Sequence, residues 1–108
     1  MKTKNIFHIN KNELSNPDEI FEKLHESGDI NIERIVSTGQ VTPDGLWLCQ
    51  KKNEWVIVLQ GKAKLEFERS ELIEMNKGDH ILIPASQKHK VIYTSTTPPC
   101  IWLAVHFI

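Results

Sequence analysis

Two side chains of this sequence are placed for chemistry. Glu54 stands near the start of N-E-W-V-I-V-L-Q-G, which ends at Gly61, and His89 closes G-D-H-I-L-I-P-A-S-Q-K-H, which begins at Gly78. A carboxylate and an imidazole together suit a divalent ion such as zinc, nickel, iron or manganese. Gln50 lies four residues before Glu54, and Leu48 two before that. In an unbroken strand all three share a face with Val56 and Val58, because side chains alternate with a period of two. Gln50 could then offer its side-chain carbonyl oxygen as a third metal ligand beside Glu54 and His89, weaker than an imidazole. The same alternation points Glu54 inward. An ionised carboxylate in an interior is costly unless a cation or hydrogen bonds compensate it. A metal, an arginine such as Arg34, or a raised pKa therefore has to accompany Glu54.

Three further residues are candidates for contact with a substrate: Tyr93, His106 and Arg34. Tyr93 follows His89 by four and faces the same way if the strand is unbroken. Its phenol is a positioning group before it is an acid. His106 shares a strand face with Trp102 and Ala104, where it either brings another nitrogen to the site or packs beside Trp102. His80 belongs to a turn, and His8 and His25 fall outside this constellation. No serine nucleophile elbow, phosphate-binding glycine loop or Cys-His signature competes with it.

The elements that must position these residues are mostly strands. Short apolar and β-branched segments are expected at Ile30 to Ser37, Leu46 to Gln50, Glu54 to Gln60, Lys62 to Glu68, Glu71 to Met75, His80 to Pro84, His89 to Ser95 and Cys100 to Ile108. Turn residues separate them at Val41 to Gly45, Gln60-Gly61, Asn76 to Gly78 and Thr97 to Pro99. One helix is expected from Pro17 to Ser27, with Asn16 as N-cap, Pro17 at the first helical position, Ile20, Phe21 and Leu24 on one face, and Gly28 as its stop. In Lys62 to Glu68 the apolar set Ala63, Leu65 and Phe67 alternates with charge, so one face is wet. In Glu54 to Gln60 and Cys100 to Ile108 both faces are apolar, which calls for a second sheet on one side and a partner subunit on the other. A homodimer is the expectation.

These segments resemble the cupins, a family of small jelly-roll barrels. The family's second motif is matched by Gly78, Pro84 and His89, with Ser86 in place of a glycine and Tyr93 in place of an asparagine. The end of its first motif is matched by Glu54 and Gly61. The opening histidine pair of that motif is replaced by Leu48 and Gln50, or by Trp47 and Cys49 if the loop is one residue longer. The resemblance implies an all-β, double-stranded β-helix barrel over residues 30–108, and the residues before it, 1–29, are expected to form an arm and the one short α-helix packing on the barrel. The resemblance also implies a metal held by the positions of Glu54 and His89 together with the histidine pair that this chain lacks.

Composition bounds the remaining possibilities. A chain of 108 residues, 40% apolar, holds one core. Thirteen basic against fourteen acidic residues, mixed along the chain, make no footprint for nucleic acid. No apolar run is long enough to cross a bilayer, and M-K-T-K-N-I-F-H-I-N lacks the apolar core of a secretory signal. A cytoplasmic protein is expected, with Cys49 and Cys100 as reduced thiols. Two functions then stand side by side. One is a metal-dependent enzyme acting on a small organic molecule, and the other is a metal-free barrel that binds or senses one. A structural interaction module is a third, if Trp47, Tyr93 or Trp102 fills the mouth.

Overall fold

Pro17 follows a helix instead of starting one. The computed structural model describes residues 1–108, and its single helix, α1, spans Lys11–Ser15. Asn10 caps it: the Asn10 side chain accepts from the Glu13 amide at 2.8 Å, and Glu13 Oε1 accepts from the Asn10 amide at 3.1 Å. Asn16 is already extended (φ −69°, ψ 130°), the conformation favoured before a proline. The helix expected from Pro17 to Ser27 is absent, and Ile20–Ser27 forms strand β1. β1 pairs antiparallel with β2 (Ile30–Ser37) across the turn at Gly28, whose φ of 56° serves a hairpin and not a helix stop. The pairing register shifts between Lys23 and His25, so Leu24 is a bulge. That extra residue breaks the alternation that would have marked a strand, leaving Ile20, Phe21 and Leu24 at helical spacing.

The other strands are β3 (Asn53–Gln60), β4 (Ala63–Phe67), β5 (Glu71–Met75), β6 (His80–Ile83), β7 (His89–Thr94) and β8 (Cys100–Phe107). They form two antiparallel sheets, β1-β2-β8-β3-β6 and β5-β4-β7, which together make a jelly roll. Leu46 to Gln50 is not a strand. It touches the sheet through a single bridge, in which the Leu48 amide donates to the His89 carbonyl at 2.7 Å and the His89 amide returns a bond at 3.0 Å. β7 pairs with β4 on its other side apart from one inserted residue, so the loop meets β7 through this one bridge.

Both sheets supply the core. Val56, Val58, Ile35, Cys100, Trp102 and Ala104 from the larger sheet meet Ala63, Leu65, Phe67 and Met75 from the smaller. Fully burying a Leu or Met such as Leu65 or Met75 contributes about 1.5–3 kcal/mol. The alternation expected in β4 is kept, with Ala63, Leu65 and Phe67 buried and Lys64 exposed. Gly61 turns β3 into β4 with φ 80°. A Cβ there would overlap Ser95 Oγ and come within 2.9 Å of the Pro99 carbonyl oxygen.

Candidate functional site

The open end of the sandwich holds a cavity of about 300 Å³. From the larger sheet, Glu54 on β3 is paired in register with His106 on β8, and His106 with Asn31 on β2. Cross-strand partners place their side chains on one face, so Glu54 and His106 project together into the cavity. Glu33 joins them from β2, and His89 faces them from β7 in the other sheet, with Gln50 above on the loop. Ile35, Val56, Leu65, Ile83, Val91 and Trp102 form apolar walls.

The polar groups are close-set. Gln50 Nε2 donates to Glu54 Oε1 at 3.0 Å, and the Gln50 backbone carbonyl accepts from the Ser86 amide at 2.7 Å. His106 Nε2 lies 3.3 Å from Glu54 Oε2, sealed from water and without an aligned hydrogen bond. On the ring's other side His106 Nδ1 lies 3.5 Å from Asn31 Nδ2 and 3.8 Å from Glu33 Oε1. The polar contact with Glu54 holds the His106 pKa above its ordinary value, against the opposing effect of burial. Glu33 is raised too, by burial first, with the His106 charge working against the rise. His89 Nδ1 lies 3.0 Å from the Gln87 carbonyl oxygen. A carbonyl only accepts, so in the neutral ring Nδ1 carries the proton and Nε2 presents a lone pair, 3.9 Å from Glu54 Oε1.

Four of the six residues singled out in the sequence come together here: Glu54, His89, Gln50 and His106. Arg34 and Tyr93 do not. Arg34 lies on the opposite face of β2, where Nε donates to Glu22 at 2.8 Å, Nη2 to Glu13 at 2.7 Å, and Nη1 to the His8 and Ile6 carbonyls at 2.6 and 3.2 Å. It ties the N-terminal arm to the sheet and gives Glu54 no partner. Tyr93 is turned out because β7 is not unbroken: Lys64 pairs with Tyr93 but Leu65 with Val91, so Ile92 is an inserted residue. Tyr93 is exposed, with Lys64 Nζ 5.6 Å from its ring centroid.

Glu33 and Glu19 were missed. For Glu33 the signal was in β2, where Glu33, Ile35 and Ser37 share a face and Arg34 lies opposite. Glu19 precedes β1, bonds through its carboxylate to the Ser37 hydroxyl, and has its pKa raised by burial against that bond. Trp102 Nε1 donates to the same Ser37 oxygen at 3.0 Å. Trp47 is not in the cavity, and Lys90 Nζ sits 4.3 Å above its ring. Ser86, which stands at a glycine position of the second motif, adopts φ 68° as a glycine would.

As a metal centre the donor set falls short. No group of three or more His, Cys, Asp or Glu side chains is arranged to hold an ion, and both oxygens of Glu54 already face protein nitrogens. Catalytic metal sites of this chemistry ordinarily keep three protein ligands.

Comparison with known proteins gives a consistent picture. The family model described as Cupin domain matches residues 36–106. Among solved structures, a candidate mannose-6-phosphate isomerase of Ralstonia eutropha JMP134 is 39% identical over 99% of this chain and 98% of its own, with a TM-score of 0.90. A cupin superfamily protein of Desulfitobacterium hafniense DCB-2 is 17% identical, over 85% of this chain and 79% of its own, with a TM-score of 0.72. An RmlC-like cupin of Desulfovibrio desulfuricans is 19% identical, over 98% and 96%, with a TM-score of 0.68. The last two share the fold. No curated protein matches the sequence.

Proposed function

The chain belongs to the cupin family, and from that premise we propose that its cavity binds a small organic molecule, with Glu54 and His106 as the polar pair that meets it. One observation carries this reading. A buried carboxylate and an imidazole of raised pKa stand 3.3 Å apart at the head of a cavity whose other walls are largely apolar. Such a pocket orients a ligand by a few convergent polar groups and holds its body by burial. His106 can give a proton and Glu54 can take one, which equips the pair for acid-base work on a bound molecule. Gln50 fixes the carboxylate, and Trp102, Leu65 and Ile83 keep water from the apolar half.

A second reading, a divalent zinc, nickel, iron or manganese ion on Glu54, His89 and Gln50, is supported by the tautomer of His89. The Gln87 carbonyl fixes the ring so that the free Nε2 lone pair faces Glu54, the arrangement that orients metal-bound histidines. Against it stands the missing third ligand, and Gln50 turns its amide nitrogen to Glu54.

The two readings part in one experiment. Protein purified without chelator or affinity nickel, beside a folded Glu54→Ala, His89→Ala double variant, is analysed for metals and screened with small organic fragments by NMR. The first reading expects no stoichiometric metal, and fragments that shift the His106 and Trp102 resonances of the parent but not of Glu54→Gln. Stoichiometric metal in the parent and none in the double variant moves the assignment to the second. We further propose that the molecule works as a homodimer through the outer face of β3 and β8, where Trp55, Ile57 and Val105 are only half-buried.

A further inference from the structure

The cavity is one-sided in charge. Glu19, Glu33 and Glu54 line it, and no lysine or arginine does. With these carboxylates ionised, even two protonated imidazoles leave an excess of negative charge. Burial raises the Glu33 and Glu19 pKa values, which marks them as carboxylates without a cation strong enough to hold them down.

His89 supplies an independent observation. It is 4% exposed, its Nδ1 is taken by the Gln87 carbonyl, and its Nε2 faces into the cavity without a hydrogen bond. Across from it, at 3.9 Å, is Glu54 Oε1. Glu54 Oε1 already accepts from Gln50 Nε2, whereas His89 Nε2 meets no protein donor. A lone pair open to the cavity accepts from a guest, so a group that meets His89 Nε2 brings an N–H or O–H bond.

We infer that the cavity selects an organic cation, a primary ammonium on an apolar body, over neutral and anionic molecules of the same shape. This rests on the reading that the cavity binds a small organic molecule. The ammonium presents three donors, enough for His89 Nε2 and Glu54 with one to spare, and Glu33 on the same cavity lining adds to the negative charge that attracts it. Its apolar body lies against Leu65 and Ile83, and the Trp102 ring adds the attraction of an aromatic face for a cation. A phosphorylated sugar has the opposite character. It would bring roughly two negative charges into a site that already holds three carboxylates and no fixed cation. The substrate in the name of the Ralstonia eutropha protein is therefore not the ligand of this chain.

The test uses three probes with one ring and three charges, benzylammonium, benzyl alcohol and benzoate, with mannose 6-phosphate as a fourth. Each is titrated into the protein at pH 7 by calorimetry. Benzylammonium is expected to bind at least about tenfold tighter than the alcohol, with no detectable heat from benzoate or the sugar phosphate. Glu33→Gln is expected to weaken benzylammonium about tenfold, and benzyl alcohol by less. Tighter binding of benzoate or mannose 6-phosphate than of benzylammonium overturns the charge selection and leaves the binding pocket standing. Silence from all four overturns both. The ranking in the parent protein decides the matter even if Glu33→Gln fails to fold.

Discussion

His106 lies between Glu54 and Glu33, and its titration follows from that position. Its imidazole is expected to titrate above the ordinary 6.5, the contact with Glu54 being the first cause. A pH series of NMR spectra reads this directly, and Glu54→Gln should bring the value down. Glu19 gives a prediction in stability. Its folded pKa is raised by burial above 4.5, so folding is favoured by the protonated form. That contribution is whole below pH 4.5 and is lost as pH rises through the folded value. Glu19→Gln should therefore raise the melting temperature at pH 7, with the gain fading as pH approaches 4; a gain of equal size at both pH values would refute this origin. The thiols differ in the same physical way. Burial, with Glu19 nearby, pushes the Cys100 thiol up to about 12, while Cys49 is exposed. Native protein should accordingly give one reactive thiol to a disulfide reagent, and unfolded protein two. At this scale alternation made Glu54 and His106 legible, since each points inward from an extended strand, and the Gly78, Pro84 and His89 spacing marked His89; Gln50 arrives from a loop and not by alternation. The sequence hid Tyr93 because a bulge is invisible to a period of two, and it hid Glu33 because adjacent charged residues, Glu33 and Arg34, occupy opposite faces of β2 and neither sign of charge tells which face is inward.

Strands were legible where turn residues bound an apolar or β-branched run, as in β2, β5 and β3. The N-terminal third was not, since two local signals compete there. Asn16 and Pro17 offered a helix start, but Asn10 with Glu13 made the better cap, and the hairpin partner β2 drew Ile20–Ser27 into the sheet. Tertiary pairing overrode a local pattern that a single bulge had disguised. Arg34 is the tie for this region, 5% exposed and bonded to two carboxylates and two carbonyls. Arg34→Ala strands Glu13 and Glu22, and a loss of about 3–5 kcal/mol is expected in urea denaturation. The arm before β1 should also become open to proteolysis. The turn between β3 and β4 is as demanding: Gly61→Ala meets both a positive φ and three close neighbours, and should cost about 2–4 kcal/mol.

For the molecule as a whole, the outer face of β3 and β8 remains half-covered, and light scattering is expected to return about twice the chain mass of 12.5 kDa. A mass near that of one chain, with the fold intact, would refute the dimer. The two sheets also share a feature that reaches beyond packing. Of the three tryptophans, Trp47 is exposed, Trp55 is half-buried against His80, and only Trp102 is buried, at 4% exposure. Its indole nitrogen donates to the Ser37 hydroxyl, which is bonded in turn to Glu19, and its ring forms part of the cavity wall. Light absorbed by this indole is emitted from inside the pocket, so a guest that displaces water or alters the charge on Glu19 must change its colour and lifetime. The protein carries an optical gauge of its own occupancy, and Trp102 emission can be followed while compounds are offered without attaching any dye.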